Sequence, residues 1–166
     1  MNYRYIYLIK KWPYSGFGED FDSKFSYNTW TLCNFLSRHV RKLHLPTDGD
    51  YNLLSCAITK EKDHVRVCSV NCLDVSLHVS DSEIQRYLAM RSEQERFEFY
   101  FSLLERGYRL AALSHSVPID DFLRLHQQFR DLGYRNEWLF KKVMLREYGI
   151  KIILEHVLTQ YEYNLR

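Results

Sequence analysis

Apolar side chains recur along this chain with two periods, and the changes between those periods mark its elements. Tyr3, Tyr5, Tyr7 and Ile9 alternate with Arg4, Ile6 and Leu8, which predicts a first strand with substance on both faces, ended by Pro13. Residues 14–25 (YSGFGEDFDSKF) read as a glycine-containing loop of aromatic and acidic residues. From Ser26 to His44 the spacing turns helical, with Trp30, Leu32, Phe35, Leu36, Val40 and Leu43 as the apolar stripe. Pro46 to Gly49 is turn chemistry. Tyr51–Thr59 and His64–Val70 read as two strands around the charged tip Lys60–Asp63, a hairpin. After a kink near Asn71, Leu73, Val75, Leu77 and Val79 alternate with Asp74, Ser76 and His78 as a further strand.

The next segments are helical. Ser80 with Glu83, and Ser92 with Glu95, have the spacing of capping boxes, and the second box starts a helix running towards Gly107. A short helical piece is expected over Tyr108–Ser114. Pro118, with Asp120 and Asp121 behind it, opens another helix that Gly133 ends. In Gly133–Arg166, Asn136 reads as an N-cap and Gly149 as the residue that stops an amphipathic helix carrying Trp138, Leu139, Val143, Leu145 and Tyr148. The β-branched and aromatic residues after Gly149 predict a terminal strand. Trp138 and Phe140 are read as scaffold. The order β-α-β-β-β, then helices, then β, predicts a single α+β domain over residues 1–166. Its sheet would be mostly antiparallel and include the first and last strands, with about five helices packed on it.

Composition sharpens this only in places. Aromatics make up 16% of the chain and include 13 tyrosines, a residue suited to half-buried or binding surfaces. The net charge of +2 is spread without a one-sided block, which argues against nucleic acid as partner. Two basic helix ends, Arg38–Lys42 and the group Lys141, Lys142 and Arg146, complement a helix dipole instead. Met1–Ile9 is interrupted by Arg4 and followed by Lys10 and Lys11, so neither leader nor membrane span is predicted, and a cytoplasmic location with reduced, buried cysteines is expected.

No stretch carries a catalytic signature. His64, Cys68 and Cys72 have an even spacing, but an extended strand separates His64 from Cys72 by about 26 Å, too far for one zinc ion. On the same geometry Cys68 and Cys72 lie about 13 Å apart, beyond a disulfide. Glu19, Asp20 and Asp22 lack the ligand spacing of a calcium loop. Ser114-His115-Ser116 lacks a strand-turn-helix GxSxG frame, and no glycine-rich phosphate loop exists. No cofactor, no metal and no enzymatic activity are expected.

The segment Phe129-Arg-Asp-Leu-Gly-Tyr-Arg-Asn-Glu-Trp138, then Lys141-Lys142, then Lys151–Leu165 resembles a group of small bacterial proteins, the immunity proteins of polymorphic and contact-dependent growth inhibition toxin systems. Lys11-Trp12-Pro13 after the first strand fits the same likeness. The likeness covers roughly a third of the chain, and Tyr134–Trp138 is its most specific piece. It implies a non-enzymatic protein that binds one cognate toxin domain and blocks its active site, and it supplies no motif of catalytic residues to carry over. Immunity proteins against nucleases are often acidic, whereas this chain is slightly basic; a non-nuclease toxin or a local acidic patch reconciles the two. Two other classes stay open on the residues alone: a small hydrolase or nuclease whose histidines and carboxylates are gathered by folding, and a nucleic-acid-associated module using the basic helix ends. For the partner surface the sequence offers Tyr14–Phe25, with Tyr14, Phe17 and Phe21 as anchors and Glu19, Asp20 and Asp22 as charges.

Overall fold

Strand β1 (Tyr5–Lys10) finds its partner far along the chain. It runs parallel to β2 (Leu53–Thr59), with Tyr5 opposite Leu53 and Lys10 opposite Ile58, and helix α1 (Glu19–Leu43) makes the return between them. The computed structural model describes residues 1–11, 17, 19–148, 150–158 and 163–165. Strand β4 (Cys72–His78) lies parallel on the other side of β2, and β3 (His64–Cys68) closes that edge antiparallel to β4, giving the order β1-β2-β4-β3.

The expected hairpin between β2 and β3 is therefore not formed, because β4 sits between them. Burial explains the exchange. β4 has Cys72, Leu73, Val75, Ser76 and Leu77 buried and suits a central seat, whereas His64 and Arg66 of β3 are exposed and suit an edge. β3 and β4 join through a tight turn at Asn71, whose φ of 56° is the left-handed conformation asparagine tolerates. That turn corrects the extended-strand distance between Cys68 and Cys72, which are register partners directly across the ladder.

The capping boxes hold. Ser80 and Ser92 start α2 (Asp81–Ala89) and α3 (Glu93–Ala111), each accepting from the backbone of its N3 glutamate while that carboxylate reaches back. α3 runs unbroken to Ala111, so the separate piece expected from Tyr108 is its last turn. α4 (Ile119–Asp131) follows Pro118, and Gly133 (φ 64°) and Tyr134 (φ 60°) turn the chain away behind it. Four α-helices stand among the described residues, one fewer than expected. The core joins Ile6, Leu8, Leu54, Cys56, Ile58, Leu73, Val75 and Leu77 of the sheet to Phe97, Tyr100, Leu104 and Tyr108 of α3 and Phe35 and Leu36 of α1.

α1 begins at Glu19, not Ser26, so most of the expected 14–25 loop is helix. Phe21 and Phe25 stack at 5.2 Å and both are buried, with Tyr87 against their edges. Trp30 leaves the stripe assigned to it: it stands 65% exposed, since a helix places it about 200° around from the buried Leu32.

The segment from Asn136 departs furthest from expectation. It forms strand β5 (Asn136–Leu145), which turns through a short 3-10 segment at Arg146–Tyr148 into β6 (Ile150–Leu158), with β7 (Tyr163–Leu165) on β6. The helical spacing loses to pairing: β-branched Ile150, Ile152 and Ile153 need an antiparallel partner, and a bulge between Leu139 and Lys141 resets the alternation. Asn136 caps no helix; its amide donates to the Thr31 carbonyl and to Asn34 Oδ1, both at 3.0 Å. The first and last strands belong to different sheets, and the first sheet is mixed, not mostly antiparallel. The α+β class stands. Among the described residues no helix is long and apolar enough to cross a membrane.

Candidate functional site

Helix α1 closes the edge of the first sheet with side chains in place of a strand. The outward N–H and C=O groups of Ile6 and Leu8 face it. Ser37 Oγ accepts from Ile6 N at 3.1 Å and donates to Ile6 O at 3.3 Å. Cys33 Sγ accepts from Leu8 N at 3.2 Å and donates to Leu8 O at 3.9 Å. The match is metric. Four helical residues advance about 6 Å and two strand residues about 6.6 Å, so hydroxyl and thiol fall in step with alternate strand residues. Burial pushes the Cys33 thiol up to about 12, which keeps it the neutral S–H this bonding needs.

Beside that seam lies a groove of about 290 Å³. β1 supplies Tyr5, Tyr7 and Ile9, and α1 supplies Trp30, Asn34 and Arg41, with Cys33 and Ser37 among the lining. The Tyr5 and Tyr7 rings stand 6.0 Å apart. Arg41 is pinned by a 2.9 Å bond from Nε to the Ser37 carbonyl and lies over the Tyr5 ring at 5.2 Å. Partial burial pushes the Tyr7 phenol up, with Tyr5 and Cys33 adding and Arg41 opposing, so Tyr7 stays a neutral donor. Tyr7, Ile9 and Trp30 are all exposed. Register places buried Ser55 beside Tyr7 and buried Ala57 beside Ile9. Tryptophan, tyrosine and arginine around a preformed depression is the composition of binding hot spots. Among the described residues this lining holds neither histidine nor carboxylate.

The residues proposed from sequence fall mostly elsewhere. Tyr14 lies outside the described residues. Phe17 is half-buried against Phe21 at 5.0 Å, with Lys60 Nζ 5.2 Å from its ring. Phe21 is 2% exposed in the core and cannot anchor a partner. Glu19, Asp20 and Asp22 begin α1, where carboxylates suit the dipole. The groove residues were missed although signals existed: Tyr5 and Tyr7 share one phase of a strand, and Trp30 is out of phase with Leu32, Leu36 and Val40.

The other chemistry considered is absorbed by structure. His115 Nδ1 stands 3.5 Å from Asp48 Oδ1, but Asp48 is engaged by the Tyr51 hydroxyl and by Ser116 N at 2.6 Å, bonds that hold its carboxyl below the usual range. It thereby ties the 46–51 turn to the α3–α4 link. Among the described residues no group of three His, Cys, Asp or Glu side chains could hold a metal ion. Part of the basic end of α1 is engaged within the fold, with Arg38 over the Trp138 ring at 4.0 Å and His39 Nδ1 2.8 Å from the Phe35 carbonyl, while Arg41 and Lys42 are exposed. Lys141 and Lys142 are neighbours on a strand and point to opposite faces. No family model matches the chain, and neither a curated protein nor a solved structure does.

Proposed function

We propose that the protein is a toxin-immunity factor, which binds a cognate toxin domain and occludes its active site. The observation that carries this reading is the groove between β1 and α1. It offers three exposed apolar anchors, Tyr7, Ile9 and Trp30, around a depression whose walls are fixed by edge bonding and by the Arg41–Ser37 contact. Such a surface binds with little ordering cost. Its chemistry fits a protein segment presenting an apolar or aromatic side chain beside a carboxylate, which Arg41 would meet. The resemblance of Phe129–Trp138 to immunity proteins supports the same reading, and Glu19, Asp20 and Asp22, at the start of α1, would supply charge for the encounter with the partner.

The test needs a candidate toxin domain, to be sought in the reading frames that neighbour this one. Trp30→Ala and Tyr7→Ala remove exposed groups, so thermal stability is expected to hold while affinity by calorimetry falls at least about tenfold for each. Protection of cells expressing the toxin should fall in parallel. Parental affinity in both variants would remove the groove from the interface; absence of any binding by the parent would remove the immunity reading itself.

A further inference from the structure

We propose that the free edge of β6 pairs with the same edge of a second copy, joining two chains through a continuous antiparallel sheet. This rests on the second sheet and not on the toxin reading.

Among the described residues the hairpin of β5 and β6 is anchored at its base. Val157 and Leu158 are buried, and Asn136 is held by α1, whereas Ile150, Ile152 and Ile153 stand 50%, 39% and 44% exposed. A two-stranded ribbon alone in water is marginal, and it gains from further strands. Its two edges are not equivalent. β5 carries a bulge between Leu139 and Lys141 and the lysines Lys141 and Lys142, devices that discourage edge pairing. On the other edge β7 pairs only with His156, Val157 and Leu158, so residues 151–155 have no strand beside them among the described residues. That stretch has no bulge, proline or glycine, and it carries isoleucines.

The open stretch is also self-complementary. An antiparallel two-fold centred on Ile153 places Lys151 opposite Glu155 of the copy, Glu155 opposite its Lys151, and Ile152 opposite its Leu154. Opposed residues in an antiparallel pair share a face, so the charges meet on the face of Ile153 and the Ile152–Leu154 contacts on the other. In this register Ile150 of each chain would fall opposite His156, which already pairs with Leu165 of β7, so the new ladder is confined to residues 151–155 and Ile150 turns out of it. Its isologous form closes at two chains and does not propagate.

Charge exchange on the full-length chain tests this, because Lys151 and Glu155 are exposed and their replacement leaves the core untouched. Sedimentation of the parent should show a concentration-dependent dimer. Lys151→Glu and Glu155→Lys each place two like-charged pairs across the two-fold and should weaken self-association at least about tenfold. Mixing those two variants should restore a heterodimer, and the double exchange K151E/E155K should restore the homodimer. A parent that stays monomeric up to about 1 mM overturns the proposal, as does dimerisation indifferent to the exchanges. Dimerisation abolished by Trp30→Ala instead would assign the contact to the groove and overturn it equally.

Discussion

A Cβ built on Gly107 would stand 2.3 Å from Cys56 Sγ, so helix α3 and strand β2 touch with no atom to spare. Alanine is the better helix former by about 1 kcal/mol, yet overpacking a buried contact costs about 1–3 kcal/mol. Gly107→Ala should therefore lower the urea midpoint. The other neighbours, Cys56 Cβ at 3.4 Å and Leu77 Cδ1 at 3.5 Å, are in ordinary contact, so removing the sulfur as well, in G107A/C56A, should recover part of the loss. Additive effects in that double-mutant cycle would show that the clash is not the cause.

The seam between α1 and β1 gives a second expectation. Ser37→Ala strips Ile6 of both edge partners at a buried position, and an unsatisfied backbone group costs about 1–3 kcal/mol. Cys33→Ser keeps a donor and acceptor at the same place and should be close to neutral. Denaturant melts of the two should differ by more than 1 kcal/mol (about one net hydrogen bond). Equal midpoints would mean that the edge groups find other partners.

Arg38, Trp138 and His156 form a stack at the base of the second sheet, with the indole 4.8 Å from the imidazole and parallel to it. Trp138 is half-buried, so Trp138→Ala should cost about 1–3 kcal/mol, below the 3–5 typical of a fully buried tryptophan. The loss should be local. Amide exchange ought to accelerate in β5 and β6 and stay protected in β2 and β4; uniform acceleration would mean that this stack supports the whole fold.

Legibility tracks the range of the interaction that decides each element. The two capping boxes, the stop at Gly133 and the β4 alternation are set by residues within a turn of one another, and the sequence shows them. The seat of β4 between β2 and β3 is a competition for burial between distant segments, and the tip Lys60–Asp63 argues locally for the wrong neighbour. At Asn136 the local signal is actively misleading, since an N-cap residue and helical spacing lose to the pairing of Trp138 with His156 and Val143 with Ile152. Of the site, the aromatic alternation of β1 is legible, but its meeting with Trp30 and Arg41 requires the helix to dock on the sheet edge.

The acidic start of α1 bears on association with the proposed partner. Glu19→Gln, Asp20→Asn and Asp22→Asn together should slow binding of the toxin domain at low salt and converge on the parental rate as salt rises, because rim charges act mainly on encounter. Stopped-flow association rates across a salt series would read this. Identical rates at every salt concentration would leave the groove as the sole contact.

Buried His126 should dominate the mild-acid stability profile. It is 1% exposed, with Nε2 3.1 Å from the Tyr108 hydroxyl and its ring stacked on Phe101 at 4.4 Å. Burial first, then the Arg130 guanidinium, push its pKa down from 6.5 to about 3, with Glu98 opposing. Above the unfolded value the imidazole is neutral in both states and contributes nothing to pH dependence. Between about 6.5 and 3 the unfolded chain takes up a proton that the native state refuses, so stability falls with acidification by up to about 1.4 kcal/mol per pH unit. His39 is also depressed by burial and adds with the same sign. The held-down carboxylates of Glu98, Glu83 and Asp48 begin to lose their contribution only nearer the carboxylate range, so pH 6 to 5 separates the histidines from the acids. His126→Gln keeps an acceptor for Tyr108 without the titration, and its melting temperature should decline less across that interval than the parent's. An unchanged slope in this variant would transfer the effect to His39.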